Sequence, residues 1–165
     1  EITKKGALIV KIQGKKAAEK LKTMDLSLAV KIGNGPNTVI EFTDPDCPYC
    51  RKVDKFFTGR TDVTRYVFLN PIDQLHPQSR AKSVFILSSK DEEKALRDVF
   101  TGKYDKAGLP ILSADLSAYP KESNRLVAGM KIGEELGVQG TPMLFVNGTM
   151  VNGADIAKIS QLLNK

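Results

Sequence analysis

The chain has no tryptophan, a single histidine and only two cysteines among its 165 residues. Each scarcity excludes something. Two cysteines three positions apart cannot staple a small disulfide scaffold, which needs more pairs at wider spacing. One distant histidine and two cysteines fall short of the roughly four ligands of a structural zinc site. No stretch approaches the roughly 18–20 apolar residues that a membrane span requires. The longest early apolar run, Ala7 to Val10, is too short for the core of a secretory signal. Basic residues outnumber acidic ones, 25 to 19, giving a formal charge of +6. They are spread along the chain, with a modest cluster at Lys11, Lys15, Lys16, Lys20 and Lys22 and no base-stacking aromatics between them. That is the pattern of a solvated basic face, so no nucleic acid is expected as a partner.

What remains is ordinary globular material. Apolar residues make up 41% and charged residues 27%, enough for one domain with a true core. Residues Asp25 to Ile32 place Leu26, Leu28, Val30 and Ile32 on one side, the period of a half-buried strand. Gly33-Asn34-Gly35-Pro36 interrupts it. A β-rich run, Thr38 to Phe42, then ends at Thr43-Asp44-Pro45-Asp46, and after Cys47-Pro48 the spacing of Val53, Phe56 and Phe57 becomes helical. Pro48 suits a first helical position, where its missing N–H costs nothing. Val63 to Leu69 reads as another strand. From about Pro77 to Leu136 the pattern is mainly helical. One face carries Ala81, Val84, Phe85 and Ser88 and another Ala95, Leu96, Val99 and Phe100, while Leu126, Val127 and Met130 start a further helix. Gly102 is placed to stop the second of these helices. Asn147-Gly148 between Met143–Val146 and Thr149–Val151 is a hairpin signal. A closing helix lines up Ile156, Ile159, Leu162 and Leu163. The order predicts an α/β, thioredoxin-like fold with an inserted helical subdomain.

The chemistry is concentrated in Cys47-Pro48-Tyr49-Cys50, at a strand-to-helix junction. A cysteine there meets unpaired backbone N–H groups and the positive helix end, which favour thiolate, the nucleophilic form. A second cysteine one turn inside is close enough to attack a mixed disulfide and release what the first has captured. Haem attachment would want His after the second cysteine, where Arg51 stands. Two inert buried cysteines are the remaining alternative. Against it stands Gly140-Thr141-Pro142, a proline opening a strand where it donates no ladder hydrogen bond.

The segments VIEFTDPDCPYCRKVDKFF and LGVQGTPMLFVNGTMVNGA, with the helical block between them, resemble the catalytic domain of the bacterial periplasmic disulfide isomerases DsbC and DsbG. The resemblance runs from about Asp25 to the C-terminus. Glutaredoxins also use Cys-Pro-Tyr-Cys, but the 92 positions from Cys50 to Pro142 (142 − 50) exceed a minimal glutaredoxin core. The resemblance implies a periplasmic enzyme, its export signal removed, acting on disulfides or oxidised cysteines of protein substrates. It implies Cys47 as attacking and Cys50 as resolving thiol, Thr141 and a cis Pro142 as the substrate-facing loop, and a membrane thiol–disulfide electron donor as partner. Thioredoxins and the oxidase DsbA carry an acidic residue where Glu41 stands. An inward carboxylate on an apolar strand costs free energy unless it serves something, so Glu41 is a proton-transfer candidate.

The resemblance also sets out departures. Residues 1–24 form an extension too short for the family's N-terminal dimerisation domain, so a monomer or weak oligomer is expected. Within the extension, Ala7 to Ile12 could form an edge strand, and Ala17, Leu21 and Met24 a short helix capping the core. The catalytic domain is expected at 25–165, with its insertion at about 77–136. Ser88 stands where DsbC has one of its structural cysteines. No cofactor or metal is expected. His76, before Pro77, reads as a loop residue. Arg51 and Lys52 read as solvent-facing. The expected chemistry is reductase or isomerase, with a DsbA-like oxidase or a chaperone-like binding module as alternatives.

Overall fold

The structure, a computed structural model, describes residues 17–110 and 115–164. The expected strand Ala7 to Ile12 lies outside the described residues. Residues 17–23 are helical (α1) and lead into a 3₁₀ turn, Leu26–Leu28. Then follow β1 (Val30–Ile32), β2 (Asn37–Thr43), α2 (Pro48–Phe57), β3 (Val63–Leu69), α3 (Ser79–Ser88) and α4 (Glu92–Phe100). A second 3₁₀ turn, Leu116–Ala118, precedes α5 (Pro120–Glu135), and the chain closes with β4 (Met143–Val146), β5 (Thr149–Asn152) and α6 (Ile156–Leu163). The five strands form one sheet in the order β1-β3-β2-β4-β5. β2 lies at its centre, parallel to β3 and antiparallel to β4. The α/β, thioredoxin-like architecture with inserted helices is therefore present.

Most elements follow directly from the pattern. β3 has the expected bounds, and Asn147 (φ 48°) and Gly148 (φ 86°) turn the β4–β5 hairpin through two consecutive left-handed positions. That turn type matches the strand twist, which is why Asn-Gly marks it. The first strand is shorter than expected. Asp25 accepts hydrogen bonds from the Ser27 amide (3.0 Å) and hydroxyl (2.6 Å), and this side-chain turn winds Leu26–Leu28 into a 3₁₀ helix. Only Val30–Ile32 joins the sheet.

α3 departs differently. Of the expected face of Ala81, Val84, Phe85 and Ser88 only Val84 is fully buried, and the helix buries Ser79, Lys82, Ser83, Ile86 and Leu87 instead. It touches both α4 and α5, so no single face can be apolar. α4 buries Ala95, Leu96, Val99 and Phe100 as its spacing predicts. α5 starts earlier than Leu126, on Pro120, and leaves Val127 exposed.

The two faces of the sheet carry different cores. On one, Ile40, Phe42, Phe68, Met143 and Phe145 pack with Ile132 of α5, with Leu136 just past its end, and with Ala17 and Met24. Phe42 and Phe68 stack there at 5.0 Å between centroids. A Cβ on Gly133 would sit 3.0 Å from the Phe42 ring, so the helix approaches only because that position is glycine. On the other face, Val39, Leu144, Val146 and Val151 meet Val53 and Phe57 of α2 and Ile159 and Leu163 of α6. Alternation along β2 puts Glu41 and Thr43 on this second side with Val39. The second side is where the cysteines lie.

Candidate redox-active site

β2 ends at the centre of the sheet, and a four-residue loop carries the chain into α2. Cys47 is the N-cap of that helix and Pro48 its first residue. The Cys47 amide donates to the Asp44 carbonyl at 3.1 Å, closing the loop. Cys50 follows inside the first turn and is fully buried, while Tyr49 between them is exposed. The Thr141–Pro142 peptide, immediately before β4, is cis, and the Thr141 carbonyl oxygen lies 3.8 Å from Cys47 Sγ. The topology thus brings residues 94 positions apart, Cys47 and Thr141, to one spot.

The two thiols differ sharply in character. The Cys50 side chain hydrogen-bonds Cys47 and is the largest cause that lowers the Cys47 pKa to about 6. Partial burial opposes this, and the Cys50 and Tyr49 amides at the helix start add to the lowering. Cys50 moves the other way: burial, reinforced by the hydrogen bond to Cys47, pushes its thiol far above the ordinary value. Its sulfur accepts a hydrogen bond from the Asp44 amide at 3.4 Å. The sequence leads one to expect an exposed Cys47, but only 6% of its surface is open, because the Thr141 loop lies against it. The asymmetry between the thiols survives that correction.

Glu41 is buried on β2, and burial raises its pKa. It is not the solitary carboxylate that the sequence suggests. Arg65 Nε, from β3, donates to Glu41 Oε1 at 2.8 Å, and Arg65 Nη2 bonds both Glu41 and, at 3.1 Å, Asp54 Oδ1 of α2. The guanidinium also sits 4.7 Å above the Phe57 ring. Burial would lower the Arg65 pKa, but the charges of Glu41 and Asp54 outweigh it and the net direction is upward. A buried Glu–Arg–Asp network therefore lies under α2, with Asp54 one helical turn beyond Cys50. Its signal in the sequence is the alternation Val63, Arg65, Val67, which turns Arg65 to the same side as Glu41.

Asp44 was not singled out by sequence, and it organises the loop. Its Oδ1 accepts from Ser79 Oγ (2.6 Å) and the Asp46 amide (2.9 Å). Its Oδ2 accepts from the Ile72 amide (2.8 Å) and lies 3.0 Å from His76 Nδ1. His76 is thus a loop residue, as expected, but one held on a buried carboxylate. Arg51 is not solvent-facing. It donates to Asp105 at 2.7 and 2.9 Å, to Asp46 at 3.2 Å and to the Pro45 carbonyl at 2.8 Å. Lys82, buried on α3, joins both Asp46 and Asp105. This cluster fixes the inserted helices to the base of the cysteine loop. Nothing in the local pattern marks Lys82, which sits between Ala81 and Ser83 in a helix with no polar face.

Comparison with known proteins agrees with the geometry. Residues 24–165 match the thioredoxin-like domain family. The chain is 35% identical over 122 residues, 74% of its length, to a probable thiol:disulfide interchange protein DsbC of Bordetella avium, of which this covers 39%. It is 31% identical over 117 residues to the thiol:disulfide interchange protein DsbG of Pseudomonas aeruginosa, covering 68% of this chain and 43% of that one. The chain thus spans less than half the length of these curated relatives. Among solved structures, a disulfide interchange protein from Neisseria gonorrhoeae superposes with a TM-score of 0.68 at 31% identity, over 86% of this chain and 96% of that one. The chain belongs to the thioredoxin-like domain family, and its closely spaced Cys47–Cys50 pair is consistent with a redox-active site of the thiol–disulfide interchange class.

Proposed function

We propose that the protein is a DsbC/DsbG-type thiol–disulfide oxidoreductase of the periplasm, acting on protein substrates as a reductase or isomerase. The observation that carries the reading is the divided pair: one thiol that ionises near neutrality at a helix start, one withheld beneath it. In the proposed cycle the Cys47 thiolate attacks a substrate disulfide, the S–S bond breaks, and one substrate sulfur leaves with the electron pair. Cys50 then attacks Cys47 Sγ, the Cys47–Cys50 disulfide forms, and the second substrate thiol departs. A membrane thiol–disulfide donor would restore the dithiol. Residues 25–165 would be the catalytic unit, with the helices between about 77 and 136 as its insertion. Residues 1–24 would be an extension.

Thr141 and Pro142 are assigned to substrate binding. They border a cleft of about 660 Å³ that also takes in Met150 and Asn152 of the edge strand β5, room for an extended peptide segment. The Tyr49 ring, exposed between the two cysteines, offers a substrate an apolar contact beside Cys47. Glu41 is assigned to proton acceptance when Cys50 ionises, working within its network with Arg65 and Asp54. If Glu41→Gln resolves mixed disulfides at the wild-type rate throughout roughly pH 6–9, that role is wrong.

Direction of electron flow follows from the thiolate. A Cys47 pKa of about 6 lies between thioredoxin (about 7) and DsbA (about 3.5), so the dithiol is held down less than in a strong oxidant. Pro48 and Tyr49 bring no positive charge between the cysteines, and Arg51 is neutralised by its carboxylates. We expect a potential of roughly −150 to −230 mV. Equilibration against glutathione gives the number, and a value of about −120 mV would assign the protein to the DsbA-like oxidases instead. Cys47→Ser should abolish insulin reduction; a wild-type protein that reduces no insulin would point to a binding module.

A further inference from the structure

Thr43 is the last residue of β2, directly before the loop that carries Cys47. Its side chain lies on the sheet face that α2 covers, together with Val39 and Glu41. The residue is 1% exposed, and its hydroxyl is fully buried with no hydrogen-bond partner of ordinary geometry. A buried hydroxyl left in that condition costs free energy that a valine of similar shape would not. The cost needs a compensating role. The hydroxyl lies on the side of the sheet that α2 and its Cys50 cover, and the Thr43 side chain opposes the effect of burial on that thiol. The next residue, Asp44, already donates its amide to the same sulfur at 3.4 Å.

In the reduced pair, Cys50 is a thiol and a poor acceptor, so the Thr43 hydroxyl gains little from it. During resolution the sulfur becomes an anion, and a buried hydroxyl with no other partner is free to donate a charge-assisted hydrogen bond to it. A contact that strengthens only as charge develops accelerates the step that develops it.

We propose that Thr43 is a catalytic residue of the resolving step, its hydroxyl donating, beside the Asp44 amide, to the Cys50 sulfur as that sulfur attacks Cys47. The step balances as Cys50–SH plus the Cys47–S–S–substrate mixed disulfide giving the Cys47–Cys50 disulfide plus substrate thiol. The Cys47–Cys50 bond forms, the Cys47–substrate bond breaks, and the Cys50 proton ends on the departing sulfur. The protein pair is oxidised and the substrate sulfur reduced. This inference rests on the oxidoreductase reading above and names a second group within the same site.

The test uses the full chain, reduced, mixed with excess dithionitrobenzoate. Attack by Cys47 releases one nitrothiobenzoate, and resolution by Cys50 releases a second, so the two steps appear as successive phases of absorbance. Thr43→Val should leave the first phase unchanged and slow the second about tenfold. It should also move the midpoint of the second phase's pH profile up by about one unit. Thr43→Ser, which keeps the hydroxyl, should restore both, while Thr43→Ala should behave as Val. The thermal midpoint of Thr43→Val should not fall, because only an unpaired hydroxyl is removed. Equal second phases in wild type, Val and Ala overturn the proposal and leave the oxidoreductase reading standing. A second phase slowed as much in Ser as in Ala also overturns it, since shape and not the hydroxyl would then matter. A wild-type protein that releases no second nitrothiobenzoate removes the oxidoreductase reading itself.

Discussion

The two faces of the sheet are built from the same strands and do opposite things. The buried residues of the face under α1 and α5 are apolar, with Phe42 and Phe68 stacked and a glycine that lets α5 settle onto the Phe42 ring. The face under α2 mixes an apolar patch with a buried Glu–Arg–Asp network, two thiols and an unpartnered hydroxyl. Successive residues of β2 alternate between these environments: Ile40 and Phe42 point to one, Glu41 and Thr43 to the other. The lesson is a division of labour at single-residue resolution. One side supplies stability by area, and the other spends polar groups in low dielectric, where each one matters more.

That contrast can be broken experimentally, and the largest effect should come from the charged side. Arg65→Met leaves Glu41 and Asp54 buried without a counter-charge and should cost about 3–5 kcal/mol of unfolding free energy. Urea denaturation of the oxidised protein measures it. A loss under about 1 kcal/mol would mean that the network is solvated and the two faces are alike.

The thiols sharpen the contrast next. Alkylation of the reduced protein near pH 6, read by mass spectrometry, should label Cys47 more than about 100-fold faster than Cys50, because thiolate fraction controls the rate. Comparable labelling would erase the distinction between the two sulfurs.

On the apolar side, Gly133→Val should overpack the Phe42 ring and cost about 1–3 kcal/mol. Its rate of thiol exchange should remain that of wild type. A changed rate would show that the faces are coupled through the strand.

The smallest effect is a pH dependence. A thiol whose folded pKa is lowered adds stability that is fully present above the unfolded value and lost as pH falls through the folded one. For Cys47 the reduced form should therefore lose a few degrees of Tm as pH falls from about 9 to about 6. The oxidised form, with no thiol to titrate, should not show that component.

Much of this was legible in the sequence. Val63 to Leu69, the Asn147-Gly148 hairpin and the start of α2 at Pro48 follow from alternation and turn chemistry, which act locally. The cysteine pair and Pro142 were legible because their residue types are rare in such positions. What stayed hidden was long-range pairing of ordinary charges. Arg65 looks like any polar strand residue until Glu41, 24 positions earlier, is set beside it. Asp44 looks like a turn former, and its partners Ile72 and His76 come from a loop that no periodicity describes, with Ser79 at the start of α3. Lys82 reads as a surface lysine because nothing local reveals that α3 is covered on every side. Asp25 misled in the reverse direction, since its hydrogen bonds to Ser27 override an alternation that is otherwise convincing.

The clamp at Arg51, Lys82, Asp46 and Asp105 has a consequence for how the molecule survives its own chemistry. The chain's only two cysteines are the reactive pair, so α3 and α4 are tethered to the cysteine loop by ion pairs and not by sulfur. A reductant that empties the reactive pair therefore has no second bridge to cut. Reduction of the cysteines cuts none of these ties. The insertion's vulnerability is transferred to acid, which must first protonate Asp105, a carboxyl that Arg51 and Lys82 hold well below the usual range. A fold built around one cysteine pair has its scaffolding fastened with a different kind of bolt.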